Sequence, residues 1–239
     1  MEIGRIEGLF RYPVKSMAGE RLDAAGLGFH GVDGDRRLAV RRLDDRGGFP
    51  WLTAGRLADL LRFTPRRAAD AAADDLPAEV VTPDGDPLPL FGEALAADIG
   101  RRHKAPVELT HLKHGVFDDA TVSLIASDTV AEIGRLAEVG ADVRRFRPNI
   151  QIRLHLAGPF QEDAWVGRVL AFGDGDDAPT VAVTMRDIRC AMVNLDPDSA
   201  APNPAVMKAV VRANENGAGV YATVTRAGRL AVGQAIHLR

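Results

Sequence analysis

The 239-residue chain contains a single cysteine, Cys190. One cysteine excludes an intrachain disulfide, a four-cysteine iron–sulfur cluster and a cysteine-based zinc cage. The sequence also lacks any run of about 18 apolar residues, so no membrane-spanning helix is expected. Its first residues show no basic region followed by an apolar core, so no secretory signal is expected either. Together these absences predict a protein of the reducing cytoplasm.

Neither sign of charge dominates the composition, because the formal net charge is −3. This balance argues against a general nucleic-acid binder, which usually carries a basic excess, so no nucleic-acid partner is expected. Arginines nevertheless bunch in three groups, within residues 36–42, 144–147 and 186–189. Because guanidinium groups suit phosphate and carboxylate, the three groups predict one compact anionic ligand.

The lone thiol has three interpretations: a buried apolar filler, a nucleophile or a metal ligand. Free cysteine is most often buried and inert. However, Arg186 and Arg189 lie within four positions of Cys190, and nearby cations favour the thiolate that attacks or binds metals. Alternating apolar residues predict a strand over 180–185, and residues 194–199 are rich in turn formers. Cys190 is therefore expected just beyond a strand end, on a loop.

The periodicity along the chain predicts a β-rich α+β fold, close to a barrel. Strands are predicted at residues 4–12, 21–29, 37–43, 107–112, 122–125, 150–154, 165–172, 180–185, 220–225 and 230–238. Helices are predicted after Thr53, over 93–104, from about 127 to 136 and over 203–213.

Several local signals refine this plan. Thr53 is a candidate N-cap, and Ser127 or Thr129 is another, with Glu132 completing a capping box with Thr129. Residues 79–90 contain a hairpin signal, and a second hairpin is predicted at 227–228. The alanine- and aspartate-rich stretch 66–77 predicts a mobile surface excursion. A soft domain boundary is placed near residue 105.

Six motifs occur in a specific order along the chain. They are YPVKS at 12–16, GDR at 34–36, WLTAGR at 51–56, DATVSLI at 119–125, RFRPN at 145–149 and RCAMVNLDPD at 189–198. In this order they resemble the MOSC-domain superfamily, and within it the N-hydroxylamine and amidoxime reductases typified by the mitochondrial amidoxime-reducing component. The resemblance spans nearly the whole chain.

The resemblance implies an N-terminal β-barrel-like domain over 1–105 packed against a C-terminal MOSC β-barrel domain over 106–239. It further implies a molybdenum cofactor, a pterin dithiolene with a phosphate, in the cleft between them. Cys190 would be the catalytic thiolate on molybdenum, with Asp119 an acid near the metal. The implied cofactor-binding residues are Lys15, Ser16, Arg36, Thr53, Arg56, Thr121, Arg145, Arg147, Asn149 and Arg189.

The implied activity is reduction of N-hydroxylated small-molecule substrates. Because the sequence carries no cysteine-rich iron–sulfur segment, the electrons would come from a separate protein of ferredoxin, flavodoxin or cytochrome type. One departure concerns the third motif, in which family members often have Thr-Ala-Arg and this chain has Thr53, Ala54, Gly55 and then Arg56.

Two alternatives stay open. MOSC kinship also suggests a sulfur-transfer protein with a persulfide on Cys190, which needs an accessible thiol and no metal. The arginine clusters alone suggest a non-catalytic binder of an anionic small molecule. His111 and His114 are spaced like a metal pair but are interpreted as structural, because neither has a cysteine partner.

Overall fold

The structure, a computed structural model, describes residues 1–72 and 75–239. Its strands are β1 Glu2–Arg11, β2 Glu20–Leu22, β3 Ala24–Gly28, β4 Gly31–Val32, β5 Leu38–Arg42, β6 Thr64–Arg66, β7 Glu79–Val81, β8 Pro87–Pro89, β9 Val107–His111, β10 Val122–Ala126, β11 Ile150–Leu154, β12 Val169–Phe172, β13 Thr180–Ile188, β14 Gly217–Arg226, β15 Gly228–Ala231 and β16 Ala235–Leu238. The α-helices are α1 Glu93–His103, α2 Ser127–Leu136 and α3 Pro204–Asn214, and short 3-10 helices occupy Ala58–Arg62, Val143–Arg145, Gln161–Trp165 and Ala191–Asn194. The predicted β-rich α+β class is confirmed.

Seven strands form a closed barrel. The order is β11-β10-β14-β13-β12-β16-β1, and a further pairing between β1 and β11 closes the ring. The β10–β11 pair is parallel, and the other six neighbouring pairs are antiparallel. Inward-facing residues such as Leu124, Ile150, Phe172 and Val220 are fully buried in its centre. Closure leaves the barrel without open strand edges, which are sites of unwanted pairing.

A second apolar core lies beside the barrel. It is built by residues from 14 to 107, among them Leu38, Leu60, Phe63 and Ile99. The β5–β9 pair and the three-stranded sheet β6-β7-β8 surround it. The β7–β8 pairing confirms the hairpin predicted at 79–90.

Strand pairings cross the predicted boundary near residue 105. The first strand, β1, belongs to the same barrel as strands after residue 120, and β5 pairs with β9. The division into domains 1–105 and 106–239 stays a prediction. The pairings show that the N-terminal strand completes the C-terminal barrel.

Three local predictions are wrong. No α-helix follows Thr53; the segment forms a 3-10 helix whose N-cap is Leu57. Helix α2 has no side-chain cap, because it begins at Ser127 with Ala126 as its N-cap; Thr129 lies inside the helix, and its hydroxyl donates to the buried Glu162 carboxylate at 2.9 Å. The hairpin at 227–228 does not form, because β15 pairs with β3 instead. In the third case a tertiary pairing overrides a local signal.

Two remaining expectations concern the surface. The stretch predicted to be a mobile excursion, 66–77, contains residues 73 and 74, which lie outside the described residues. Within the described ranges, no helix combines the length and apolar character needed to cross a membrane.

Candidate functional site

Two turns from the N-terminal half are joined by backbone hydrogen bonds. The first follows β1 and carries Lys15 and Ser16; the second lies between β4 and β5 and carries Arg36. The Tyr12 amide donates to the Asp35 carboxylate at 2.7 Å, and the Arg36 amide donates to the Tyr12 carbonyl at 2.7 Å. The motifs YPVKS and GDR therefore form one unit.

One residue in each of the motifs YPVKS, GDR and RFRPN adopts a left-handed backbone conformation. The φ angles are +67° at Ser16, +49° at Arg36 and +51° at Arg147. Such conformations are costly for residues other than glycine and tend to cluster at functional sites. Six other non-glycine residues of the described chain share this conformation, so it is the grouping of these three with charged side chains that indicates a candidate binding site.

Two guanidinium groups contact the Tyr12 ring. The Arg147 guanidinium carbon is 4.1 Å from the ring centroid and that of Arg36 is 4.8 Å away. Arg36 also donates to the Arg147 carbonyl at 2.9 Å and pairs with the buried Asp35 carboxylate. Burial lowers the pKa of Arg147 to about 10, and the Arg36 charge adds to this effect. For Arg36, burial opposes ionisation, but Asp35 outweighs it and the pKa is raised.

Lys15 projects from the first turn towards the loop before β10. Its side chain is buried, and its ammonium donates to the Asp118 carboxylate at 2.7 Å. Burial opposes ionisation of Asp118, but the Lys15 charge outweighs it and lowers the Asp118 pKa. The Asp118 side chain is 62% exposed, so this pair lies at the mouth of the site.

Cys190 lies two residues beyond the end of β13 and is exposed. The interpretation as a buried filler is therefore wrong, because the thiol is accessible. Its carbonyl accepts from the Val193 amide at 3.3 Å, which begins the short 3-10 helix Ala191–Asn194. An accessible thiol on a loop is the arrangement that a nucleophile or a metal ligand requires.

A buried polar network supports the chain next to Cys190. Arg189 donates to the Ala218 and Phe146 carbonyls, both at 2.7 Å, and pairs with Asp187 at 2.8 Å. The Ser123 hydroxyl donates to the same Asp187 carboxylate at 3.0 Å. Burial raises the Asp187 pKa, although Arg189 and Ser123 oppose the shift.

Gly219 permits the close approach of strands behind this network. Its φ is +84°, and a Cβ at this position would lie 2.5 Å from the Leu124 carbonyl oxygen and 3.1 Å from an Arg189 guanidinium nitrogen. Any larger residue would therefore displace Arg189.

These elements enclose one cavity of about 490 Å³. This volume is in the range of small-molecule and cofactor sites. Nine predicted site residues line it: Lys15, Ser16, Arg36, Thr53, Asp119, Arg145, Arg147, Arg189 and Cys190. Lysine and arginine outnumber the acidic side chains in the lining by five to three. The cavity therefore combines one thiol with a predominantly cationic wall.

Three predicted residues do not line this cavity. The Asn149 amide is buried and bonded to the backbone of Ser123 and Phe10, so it ties β1 to β10. The side chain of Arg56 is exposed, while its neighbours Thr53 and Gly55 reach the cavity. Thr121 lies directly before β10 and is not part of the cavity lining. The roles of all twelve residues stay predictions.

Four polar residues of the lining were not predicted from the sequence: Asp118, Ser123, Asp187 and Tyr221. Asp187 is in phase with the buried Val181 and Val183, but Met185 between them is exposed and the β13–β14 register shifts there, so alternation along the strand gives only a weak signal. No comparable signal marks Ser123 or Tyr221, which reach the cavity only through the pairing of β10 with β14. Burial and the Asp187 charge raise the Tyr221 pKa.

A second, larger cavity of about 800 Å³ lies beyond Arg145, Arg147 and Met192, which line both. Its other walls include Phe10, Leu61 and Pro83, and Cys190 is absent from its lining. The thiol and the two turns therefore identify the smaller cavity as the candidate reaction site.

Comparisons with known proteins support a family assignment. The sequence profile of the MOSC domain matches residues 111–237. The fold is similar to the crystal structure of the YuaD protein from Bacillus subtilis, with a TM-score of 0.53, 14% identity, and coverage of 99% of this chain and 95% of that chain. No curated protein sequence matches the chain.

Two YiiM crystal structures are more distant. YiiM from Geobacillus stearothermophilus has a TM-score of 0.39 and 16% identity, covering 51% of this chain and 55% of that one. YiiM from Escherichia coli has a TM-score of 0.37 and 12% identity over the same shares. At these levels neither structure supports an argument about this site.

Proposed function

The chain belongs to the family of MOSC domain proteins, which are associated with molybdenum-cofactor binding, and on that premise we propose that it reduces N-hydroxylated compounds with a molybdenum cofactor. A separate protein of ferredoxin, flavodoxin or cytochrome type would supply the electrons in the cytoplasm. The observation that carries the proposal is the exposed Cys190 thiol in a cavity whose wall is predominantly cationic.

The chemistry of the donors fits a pterin dithiolene with a phosphate. Lys15, Ser16 and Arg36 supply an ammonium, a hydroxyl and a guanidinium on two joined turns, and all three suit a phosphate. Arg147 carries a buried nitrogen, Nη2, without a hydrogen-bond partner among the described residues. A buried cation of this kind is stabilised by an anionic ligand. Cys190 would hold the metal through its thiolate, as soft ligands do.

When bound, the cofactor supplies the redox chemistry, by which an N–OH group, two electrons and two protons become N–H and water. The chain's own residues bind, orient and donate protons. Asp119 and Asp187 both line the cavity, and burial raises the pKa of Asp187. A carboxyl group with a raised pKa is suited to hold a proton near the reacting atoms.

Metal analysis tests this proposal. We expect protein purified from a host that makes the cofactor to contain molybdenum and pterin, and to reduce a hydroxylamine with a chemical electron donor. Cys190→Ser should stay folded and lose this activity. Met185→Ser is the matched control, because Met185 is 43% exposed, lies five positions away and is absent from the cavity lining. Wild-type protein without molybdenum and pterin would overturn the proposal.

A second candidate function rests on the same exposed thiol. In a sulfur-transfer protein, the Cys190 thiolate would take the outer sulfur of a donor persulfide, which leaves as a thiol, and would pass this sulfur to an acceptor. Mass spectrometry of the intact protein distinguishes the two functions. A reducible adduct of one sulfur on Cys190, in protein that lacks molybdenum, would favour sulfur transfer.

A further inference from the structure

Two histidines that are 84 positions apart in sequence meet at the surface. The Nδ1 atom of His114 lies 3.1 Å from the Nε2 atom of His30, and the ring centroids are 4.4 Å apart. Both side chains are exposed. His111, the spacing partner of His114 in sequence, takes no part in this contact.

We propose that His30 and His114 form a binding site for a late first-row transition-metal ion, separate from the cavity that contains Cys190. Metal–imidazole bonds are about 2.0–2.1 Å long, so two nitrogens on one ion lie about 3 Å apart. The two nitrogens are 3.1 Å apart, at hydrogen-bond distance and close to this separation, so an ion would take the place of the proton that they share. Imidazole nitrogen suits nickel, copper and zinc, whereas magnesium and calcium require oxygen ligands.

The site has two protein ligands. No group of three or more His, Cys, Asp or Glu side chains suitable for a metal occurs in the part of the chain that the structure describes. Water would complete the coordination, so the bound ion would exchange with solution. This is typical of a regulatory or opportunistic site and unlike a closed structural zinc site.

The two ligands connect the β3–β4 turn to a segment that leads into the candidate reaction site. His30 belongs to the turn between β3 and β4, and His114 belongs to the segment that leads from β9 towards Asp118 and Asp119. Backbone hydrogen bonds join this segment to the second turn: the Val116 amide donates to the Arg36 carbonyl at 2.9 Å. An ion bound by the two histidines would therefore restrict the movement of one wall of the cavity.

The other histidines provide an internal comparison. His155 pairs with Glu2 and His237 with Asp174, so each is held by a carboxylate. His111 is exposed at the end of β9 and lies three positions from His114. It is the matched control, because it has the same side chain, similar exposure and no histidine partner.

Calorimetric titration of the untagged chain with Ni²⁺ tests the site. We expect one ion per chain, no binding of Mg²⁺, and at least tenfold weaker Ni²⁺ binding in His30→Gln and in His114→Gln, since loss of a ligand should cost at least as much as loss of an outer-shell partner. His111→Gln should bind like the wild type. Saturating Ni²⁺ should also raise the unfolding midpoint by about 5 °C in the wild type and in His111→Gln alone.

Three results would overturn the site: no Ni²⁺ binding by the wild type at millimolar concentration, binding by His30→Gln and His114→Gln that is as tight as that of the wild type, or a loss of affinity in His111→Gln as large as in these two variants. Because the test needs neither cofactor nor activity, its outcome is independent of the proposed reductase function.

Discussion

Two arginines that line the same cavity, Arg189 and Arg147, differ in how the fold compensates their charge. Arg189 is held by two backbone carbonyls and by the Asp187 carboxylate. Arg147 stacks on Tyr12 and has no carboxylate within ion-pair distance among the described residues. Arg189 therefore has the contacts of a structural residue that positions Cys190. The charge of Arg147 has no such carboxylate partner among the described residues, which favours a role in binding an anion.

The largest expected effect follows removal of Arg189. Arg189→Met should destabilise the protein by about 3–5 kcal/mol, because it leaves Asp187 as a buried acid without its cation. Urea unfolding measures the change. Arg41→Met is the control, since Arg41 forms an exposed pair with Glu108 at 3.1 Å and should cost less than about 1 kcal/mol. Equal losses in the two variants would contradict a structural role for Arg189.

Removal of Arg147 should increase the stability of the protein and weaken its affinity for an anionic ligand. Arg147→Met relieves a buried charge, so the unfolding midpoint should rise by a few degrees. Affinity for pyrophosphate should fall about tenfold or more, because a charge-assisted hydrogen bond contributes about 1.5–3 kcal/mol. Arg144→Met is the control, because Asp142 and Asp198 already pair with Arg144. A lower midpoint with unchanged affinity would assign Arg147 a structural role.

The Tyr12 ring, which contacts both Arg36 and Arg147, should contribute more to stability than the Tyr12 hydroxyl. The hydroxyl is buried without a hydrogen-bond partner in the described part of the chain, and burial raises its pKa to about 12. Tyr12→Phe keeps the contact with both guanidinium groups, so stability should stay constant or rise by up to about 1 kcal/mol. Chemical unfolding at neutral pH measures it. A loss above about 1 kcal/mol would show that the hydroxyl has a partner.

A similarly small effect is expected for the Lys15–Asp118 pair at the mouth of the cavity. The Asp118 pKa is lowered in the folded protein, so its contribution is present above the unfolded value of 3.8 and is lost as pH falls through the folded value. Asp118→Asn should therefore cost about 1 kcal/mol at pH 7, because Asp118 is mostly exposed but its loss leaves the buried Lys15 ammonium without a carboxylate. The difference from wild type should vanish near pH 2. A difference that persists there would indicate another cause.

Strands and helices were predictable from the sequence where the periodicity of apolar residues was clear or where a capping residue marked the end of a helix. Strand β11 and helix α3 follow their periodicity, and Asn203 caps α3 through its side chain as sequence rules expect. The capping box at Thr129 does not form because the helix begins earlier, with Ala126 as its N-cap, and the Thr129 hydroxyl donates to the buried Glu162. The C-terminal hairpin failed because closure of the barrel separates β15 from β14. These competitors are distant in sequence and leave no local signal.

The sequence by itself determined that one thiol is available, that arginines are grouped, and that six ordered motifs resemble the MOSC superfamily. Only the tertiary structure decided that Cys190 is exposed, that Arg189 and Arg147 have different environments, and that His114 meets His30 and not His111. The physical reason is that residue type and spacing are local properties. Burial and charge compensation depend on which distant strands pair, and barrel closure sets those pairings.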